Sequence, residues 1–235
     1  MTPTSNELSF FDHLEEFRGR LIKSIIAFLF AASIVYRFVD RILASVIKPV
    51  GAVVFTYPSE AFLAHVSLTI WGGIILASPV IIYQIWRFVC LALTAQERKY
   101  VLIFGPLSLV CFLAGVAFGY GVMIPMSMQF LLSFASDTMV PMLSVNKYIS
   151  YTGSMVFAFG IVFELPLVLL FLTKIGIATP AFLIQKRKYA LVIILIVSAI
   201  LTPPDVLSQF LMAGPLVVLY EIGIVVSKFT YRTKS

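Results

Sequence analysis

The stretch AFGIVFELPLVLLF, Ala158–Phe171, holds twelve apolar or glycine residues, one proline and one carboxylate, Glu164. Glu164 lies eight residues before Leu172, roughly 12 Å of helix from that end. In a spanning helix that is close to the middle of a bilayer, where an ionisable group costs on the order of 3 kcal/mol to insert. Pro166 has no N–H, so the carbonyl of Val162 loses its helical partner. An acid and a freed backbone acceptor within one turn make a polar notch in an apolar wall. Three uses fit such a notch: an interhelical hydrogen bond that only holds a bundle together, a seat for a partner helix, or a proton site.

Other acids lie near chain segments rich in basic residues. In SFFDHLEEFRGRLIKSI, Phe10, Leu14, Phe17 and Leu21 fall on one helical stripe, with Asp12, Glu15 and Glu16 beside it. Glu16 and Arg20 stand at i,i+4, and such an exposed pair contributes only about 0.3–0.5 kcal/mol. In TAQERKY, Thr94 and Glu97 have the spacing of a capping box that opens a helix. Glu221 lies about two turns from Lys228 and reads as structural.

Enzyme chemistry finds no inventory. The two histidines, His13 and His65, fall on opposite sides of the membrane in the topology below, and no HExxH or glycine-rich phosphate loop occurs. Cys90 and Cys111 form no CxxC and lie in or beside apolar segments, so neither a disulfide nor a metal site is expected, and no cofactor.

The elements that must hold these residues are membrane helices. The chain is 60% hydrophobic and 12% charged over 235 residues, with mean hydropathy +1.03, where an average soluble domain is about a quarter charged. Six stretches are candidate spans: 21–36, 61–87, 100–132, 148–172, 189–201 and 206–226. The third is long enough to tilt or project. The fifth is short, about 20 Å of helix, and stops at Thr202-Pro203-Pro204-Asp205. Either it starts earlier, near Phe182, or that turn dips into the bilayer, which is the reading preferred here. The segment before the first span mixes acids with bases and its apolar run ends without a small-residue cleavage pattern, so it reads as retained.

Six crossings put both termini on one side. That side carries thirteen of the seventeen lysines and arginines, and the other carries four: Arg37, Arg41, Lys48 and Lys147. The positive-inside rule then places both termini in the cytoplasm. The net charge of +6 thus reflects topology rather than nucleic-acid binding. The outer connections, 37–60 and 133–147, read as short cap helices at the periplasmic surface. The expected fold is an all-α integral membrane protein, a single polytopic domain over residues 1–235. No internal repeat of an inverted-repeat carrier is visible.

Five segments in order resemble the TatC family, the multispanning receptor subunit of the twin-arginine protein translocase: HLEEFRGRL (His13–Leu21), SPVIIYQIWRFV (Ser78–Val89), LTAQERKY (Leu93–Tyr100), AFGIVFELPL (Ala158–Leu167) and LTPPDVLSQ (Leu201–Gln209). The resemblance implies a bacterial inner-membrane protein that binds twin-arginine signal peptides at its cytoplasmic face. It further implies work with small single-span TatA and TatB subunits, in an oligomeric complex, to export folded proteins on the proton-motive force. It assigns Glu16, Arg18 and Glu97 to signal-peptide recognition, Glu164 to a partner's polar residue within the membrane, and functional sensitivity to Pro49 and Asp205. Two departures flank the recognition residues: Phe17 stands where leucine is usual, and Val89-Cys90-Leu91-Ala92 lacks an expected proline. Six helices with short loops cannot enclose a pore for folded cargo, so any conduit is an assembly. The bundle is expected to be concave, with the Glu164 notch open to lipid or a partner. The competing reading is a proton-coupled small-solute carrier with Glu164 as its proton site.

Overall fold

The computed structural model describes residues 10–51, 53–94, 98–135, 142–201 and 206–232. Ten α-helices carry these residues: α1 (Phe10–Arg37), α2 (Val39–Ile47), α3 (Pro58–Val89), α4 (Arg98–Phe118), α5 (Ile124–Leu132), α6 (Val145–Val162), α7 (Leu165–Lys174), α8 (Pro180–Gln185), α9 (Arg187–Leu201) and α10 (Val206–Arg232). Five stretches are long and apolar enough to cross a membrane: Leu14–Arg37, Pro58–Val89, Val101–Leu132, Val145–Lys174 and Gln209–Phe229. The fifth expected span corresponds to α9, fifteen residues long and about 22 Å, which begins two residues before the expected start but is not among those five. A further turn and a half, α8, precedes it across a break at Lys186, so helix does begin earlier, near Phe182. The Thr202–Asp205 turn lies outside the described residues.

Prolines explain where the long spans deviate. In the third span the backbone widens to a π-helical turn over Gly119–Met123 just before Pro125. The imide cannot donate, so the ladder slips by one residue there. In the fourth, Phe163 and Glu164 form a turn between α6 and α7, two residues ahead of Pro166. The Glu164 N–H reaches back only to the Ile161 carbonyl, at 3.0 Å, and the ladder resumes with Val168 N–H on the Glu164 carbonyl at 2.8 Å.

At one end of the bundle the connection between α2 and α3 meets the connection that precedes α6. Val54 pairs with the opposite connection, its N–H on the Leu143 carbonyl at 2.9 Å and its carbonyl accepting from Val145 N–H at 2.9 Å. Within the connection 37–60, the expected cap is helical over Val39–Ile47. Gly51, at φ +77°, ends it, its N–H folding back onto the Ile47 carbonyl at 3.2 Å, a conformation that favours glycine at a helix C-terminus. Between Ser133 and Ser144 the described residues contain no second cap helix.

Close backbone approach holds the interior. A methyl group at Gly115 of α4 would overlap the Phe159 carbonyl of α6, and one at Gly160 would lie 2.7 Å from the Phe112 ring. Small residues at helix crossings are the means by which membrane helices, lacking a hydrophobic drive between them, gain packing. The larger core centres on Phe159, Ile149, Met155, Met212 and Ile224, all essentially inaccessible. A second, aromatic core joins three helices at the opposite end of α3. The Trp86 ring (α3) stacks on Phe104 (α4) at 5.7 Å and meets Phe171 (α7) edge-on at 5.1 Å.

Candidate functional site

Glu164 sits at the α6–α7 turn, half-buried. Ser108 of α4, itself buried, donates a hydrogen bond to Glu164 Oε1 at 2.8 Å. The interhelical hydrogen bond that the notch allows is therefore present. The notch is also open: Glu164 lines a cavity of about 580 Å3 walled by α3, α4, α6 and α7. Its rim residues Ile85, Ile161 and Val168 are exposed, so Glu164 is not enclosed by its own chain. Besides Glu164 and Ser108 the lining is apolar apart from the Trp86 indole and Ser78, whose Oγ is buried without a hydrogen-bond partner among the described residues. Glu164 and Ser78 give an otherwise greasy cavity a charged or donor–acceptor group and a free hydroxyl. Buried polar groups in that state gain from a visitor able to hydrogen-bond. Neither Ser78 nor Ser108 was singled out in the sequence. Each is a lone serine in an apolar run, and only the crossing of α3, α4 and α7 brings them near Glu164.

The second group of residues lies where α1 meets the far end of α3. The Phe17 and Phe88 rings approach edge to face at 5.6 Å, and Arg20 Nη1 donates to Gln84 Oε1 at 3.4 Å. Glu16 is exposed and forms an ion pair with Arg20, whose side chain is only 11% exposed. The i,i+4 reading of Glu16 is thus realised, and Arg20 rather than Arg18 is the base that holds it. Arg18 is exposed. Glu97 lies outside the described residues, as does Asp205. The connection that carries Glu97 leaves from the end of α3, directly after Phe88 and the Cys90–Ala92 turn.

Pro49 is exposed, just past the C-terminal end of α2. That helix is held from three directions: Tyr120 Oη donates to the Ser45 carbonyl at 3.1 Å, Tyr148 Oη to the Val46 carbonyl at 2.8 Å, and His65 Nε2 meets Asp40 Oδ1 at 3.0 Å. Glu221 pairs with Arg187 at 2.5 Å and ties α9 to α10, the structural part expected of it. Cys90 and Cys111 are free thiols, and no cluster of metal-ligating side chains occurs among the described residues.

A multi-pass, all-helical chain whose α6–α7 turn opens one carboxylate into an apolar cavity defines a polytopic membrane protein with a polar site between its helices. Comparison with known proteins sets which one. A family model described as Sec-independent protein translocase protein (TatC) matches residues 12–215. The Sec-independent protein translocase protein TatC of Carboxydothermus hydrogenoformans is 43% identical over 227 residues, covering 94% of this chain and 93% of that protein. That of Aquifex aeolicus is 40% identical over 234 residues, covering 95% and 96%. A crystal structure of the twin arginine translocase receptor TatC superimposes with a TM-score of 0.84 at 39% identity, covering 93% of this chain and 99% of that one. The chain belongs to the TatC family: it is a protein-transport component of the Tat pathway, a multi-pass membrane protein and not an enzyme.

Proposed function

We propose that the chain is the signal-peptide receptor of a twin-arginine translocase, with Glu16 and Glu97 accepting the paired arginines and Arg18 beside them. The observation that carries this is the seating of α1 on the end of α3 through Phe17–Phe88 and Arg20–Gln84. It brings α1, which carries exposed Glu16, to the end of α3, and Glu97 follows that end nine residues after Phe88 in the sequence. A guanidinium forks onto a carboxylate in a way an ammonium cannot. Because Arg20 already occupies Glu16, an incoming arginine shares or displaces it, and Glu97 supplies the second acceptor.

The same reading gives six crossings with both termini in the cytoplasm of a bacterial inner membrane, the excess of basic residues supporting that orientation. It makes residues 1–235 one polytopic domain. TatA- and TatB-type subunits, in an oligomeric complex driven by the proton-motive force, complete the export machine. Glu164 receives a polar residue of such a partner's span, and Pro49 and Asp205 act at the outer surface.

The test is photocrosslinking of the full chain in membranes to a signal peptide bearing RR or KK. Glu16→Gln and Glu97→Gln each reduce the RR adduct more than the KK adduct. Equal loss with both peptides would remove the specific twin-arginine site.

A further inference from the structure

Ile82 and Trp86, which wall the Glu164 cavity, also wall a second groove of about 440 Å3 between α3 and α4. Its body is apolar, built on α3 by Pro79 and Tyr83 and on α4 by Gly105, Pro106 and Leu109. Gly105 opens it: a methyl group added there meets nothing within 4 Å. At one end stand two arginines, Arg87 near the C-terminal end of α3 and Arg98 at the start of α4. Both are exposed. Neither is ion-paired among the described residues; Arg87 lies 5.9 Å from the centroid of the Tyr83 ring. Among the described residues no carboxylate lines the groove.

The dimensions match one leaflet. The lining spans twelve residues on each side, Pro79 to Cys90 and Arg98 to Leu109, eleven rises or about 16 Å, against about 15 Å for half of the hydrocarbon core. The volume is that of an ordinary ligand cleft, about 300–1,000 Å3. An apolar slot one leaflet deep, crowned by two exposed guanidiniums that make no ion pair among the described residues, is complementary to an acyl chain under an anionic phosphate headgroup. We propose that this groove is a binding site for one anionic phospholipid, its phosphate held by Arg87 and Arg98 and an acyl chain lying over Gly105. Its position against Ile82 and Trp86 makes the lipid part of the wall behind the Glu164 cavity.

Native mass spectrometry of the full chain in detergent, with phosphatidylglycerol or phosphatidylcholine of the same acyl chains, tests this. Each basic residue near an anionic headgroup contributes roughly a fivefold preference. Wild-type protein retains one phosphatidylglycerol over phosphatidylcholine by on the order of 30-fold. The double variant Arg87→Gln/Arg98→Gln binds both lipids alike. Gly105→Leu fills the groove and loses both; Gly105→Ala, with the same strain of a side chain before proline but little volume, keeps them. Leu109→Trp fills the groove from one turn further on and repeats the loss without altering that position. A preference surviving the double variant, or full binding by both Gly105→Leu and Leu109→Trp, overturns the proposal. So does displacement of the lipid by millimolar glycerol phosphate, which would mean a free-phosphate site rather than a lipid one. None of these readouts involves signal peptide, so failure here leaves the receptor reading standing.

Discussion

Substitution of Gly115 by alanine tests the packing that positions Glu164. The added methyl would overlap the Phe159 carbonyl and lie 2.9 Å from Gly160 Cα. Carbon atoms pack at about 3.5–4.0 Å, and both obstacles are backbone, which cannot rotate away as a side-chain tip would. Helices α4 and α6 must part. Overpacking of this kind costs about 1–3 kcal/mol, and contact with two main-chain groups points to the upper end. Alanine recovers about 1 kcal/mol of helix propensity, leaving a net loss of about 2 kcal/mol. For a chain of this size that lowers Tm by about 4–8 °C. Gly19 of α1 is the control, since a methyl group there meets nothing within 4 Å. There alanine gains only the propensity, about 0.5–1 kcal/mol, and Tm rises by about 1–4 °C. Thermal unfolding of the purified chain in one detergent reads both variants. Gly115→Ala melting at or above wild type would refute the claim that the α4–α6 crossing depends on bare backbone.

Other perturbations separate structural from functional roles. Ser108→Ala removes one intramembrane hydrogen bond, worth about 0.6 kcal/mol on average, so Tm falls by no more than about 4 °C. Glu164→Gln keeps an acceptor for Ser108 and holds Tm near wild type, whereas Glu164→Leu stops export of a twin-arginine reporter measured in cells. A folded Glu164→Leu protein that exports normally would reduce Glu164 to a packing residue. Trp86→Ala empties the junction of α3, α4 and α7 and costs about 3–5 kcal/mol, read as the largest drop in Tm of the set. Arg187→Ala breaks an ion pair whose side chains are 48% and 41% exposed; such pairs contribute about 0–1 kcal/mol, so Tm moves by no more than about 4 °C.

What the sequence determined by itself is local. Runs of apolar residues fix where helices form because the backbone must satisfy its own hydrogen bonds in lipid, and α3, α4–α5 and α6–α7 lie where those runs lie. The break at Glu164 was legible because proline's missing N–H acts within one turn. The exposed Glu16 and its i,i+4 base were legible for the same reason, since helical spacing alone brings them together. Tertiary structure decided the rest. Glycines were evident along the spans, but not which of them touch another helix, because Gly115 and Gly160 are matched by a crossing and not by spacing. Ser108 and Ser78 acquired meaning only when α3 and α4 were laid against the α6–α7 turn, and Arg20 gained Gln84 only when α1 met α3. The cap helix falls inside the connection 37–60 where it was expected, but its limits, Val39–Ile47, follow from contacts to Tyr120, Tyr148 and His65 that the sequence does not display. Hydropathy reports how each segment meets lipid, whereas a site between helices depends on which faces meet, and that is settled by the packing of all of them at once.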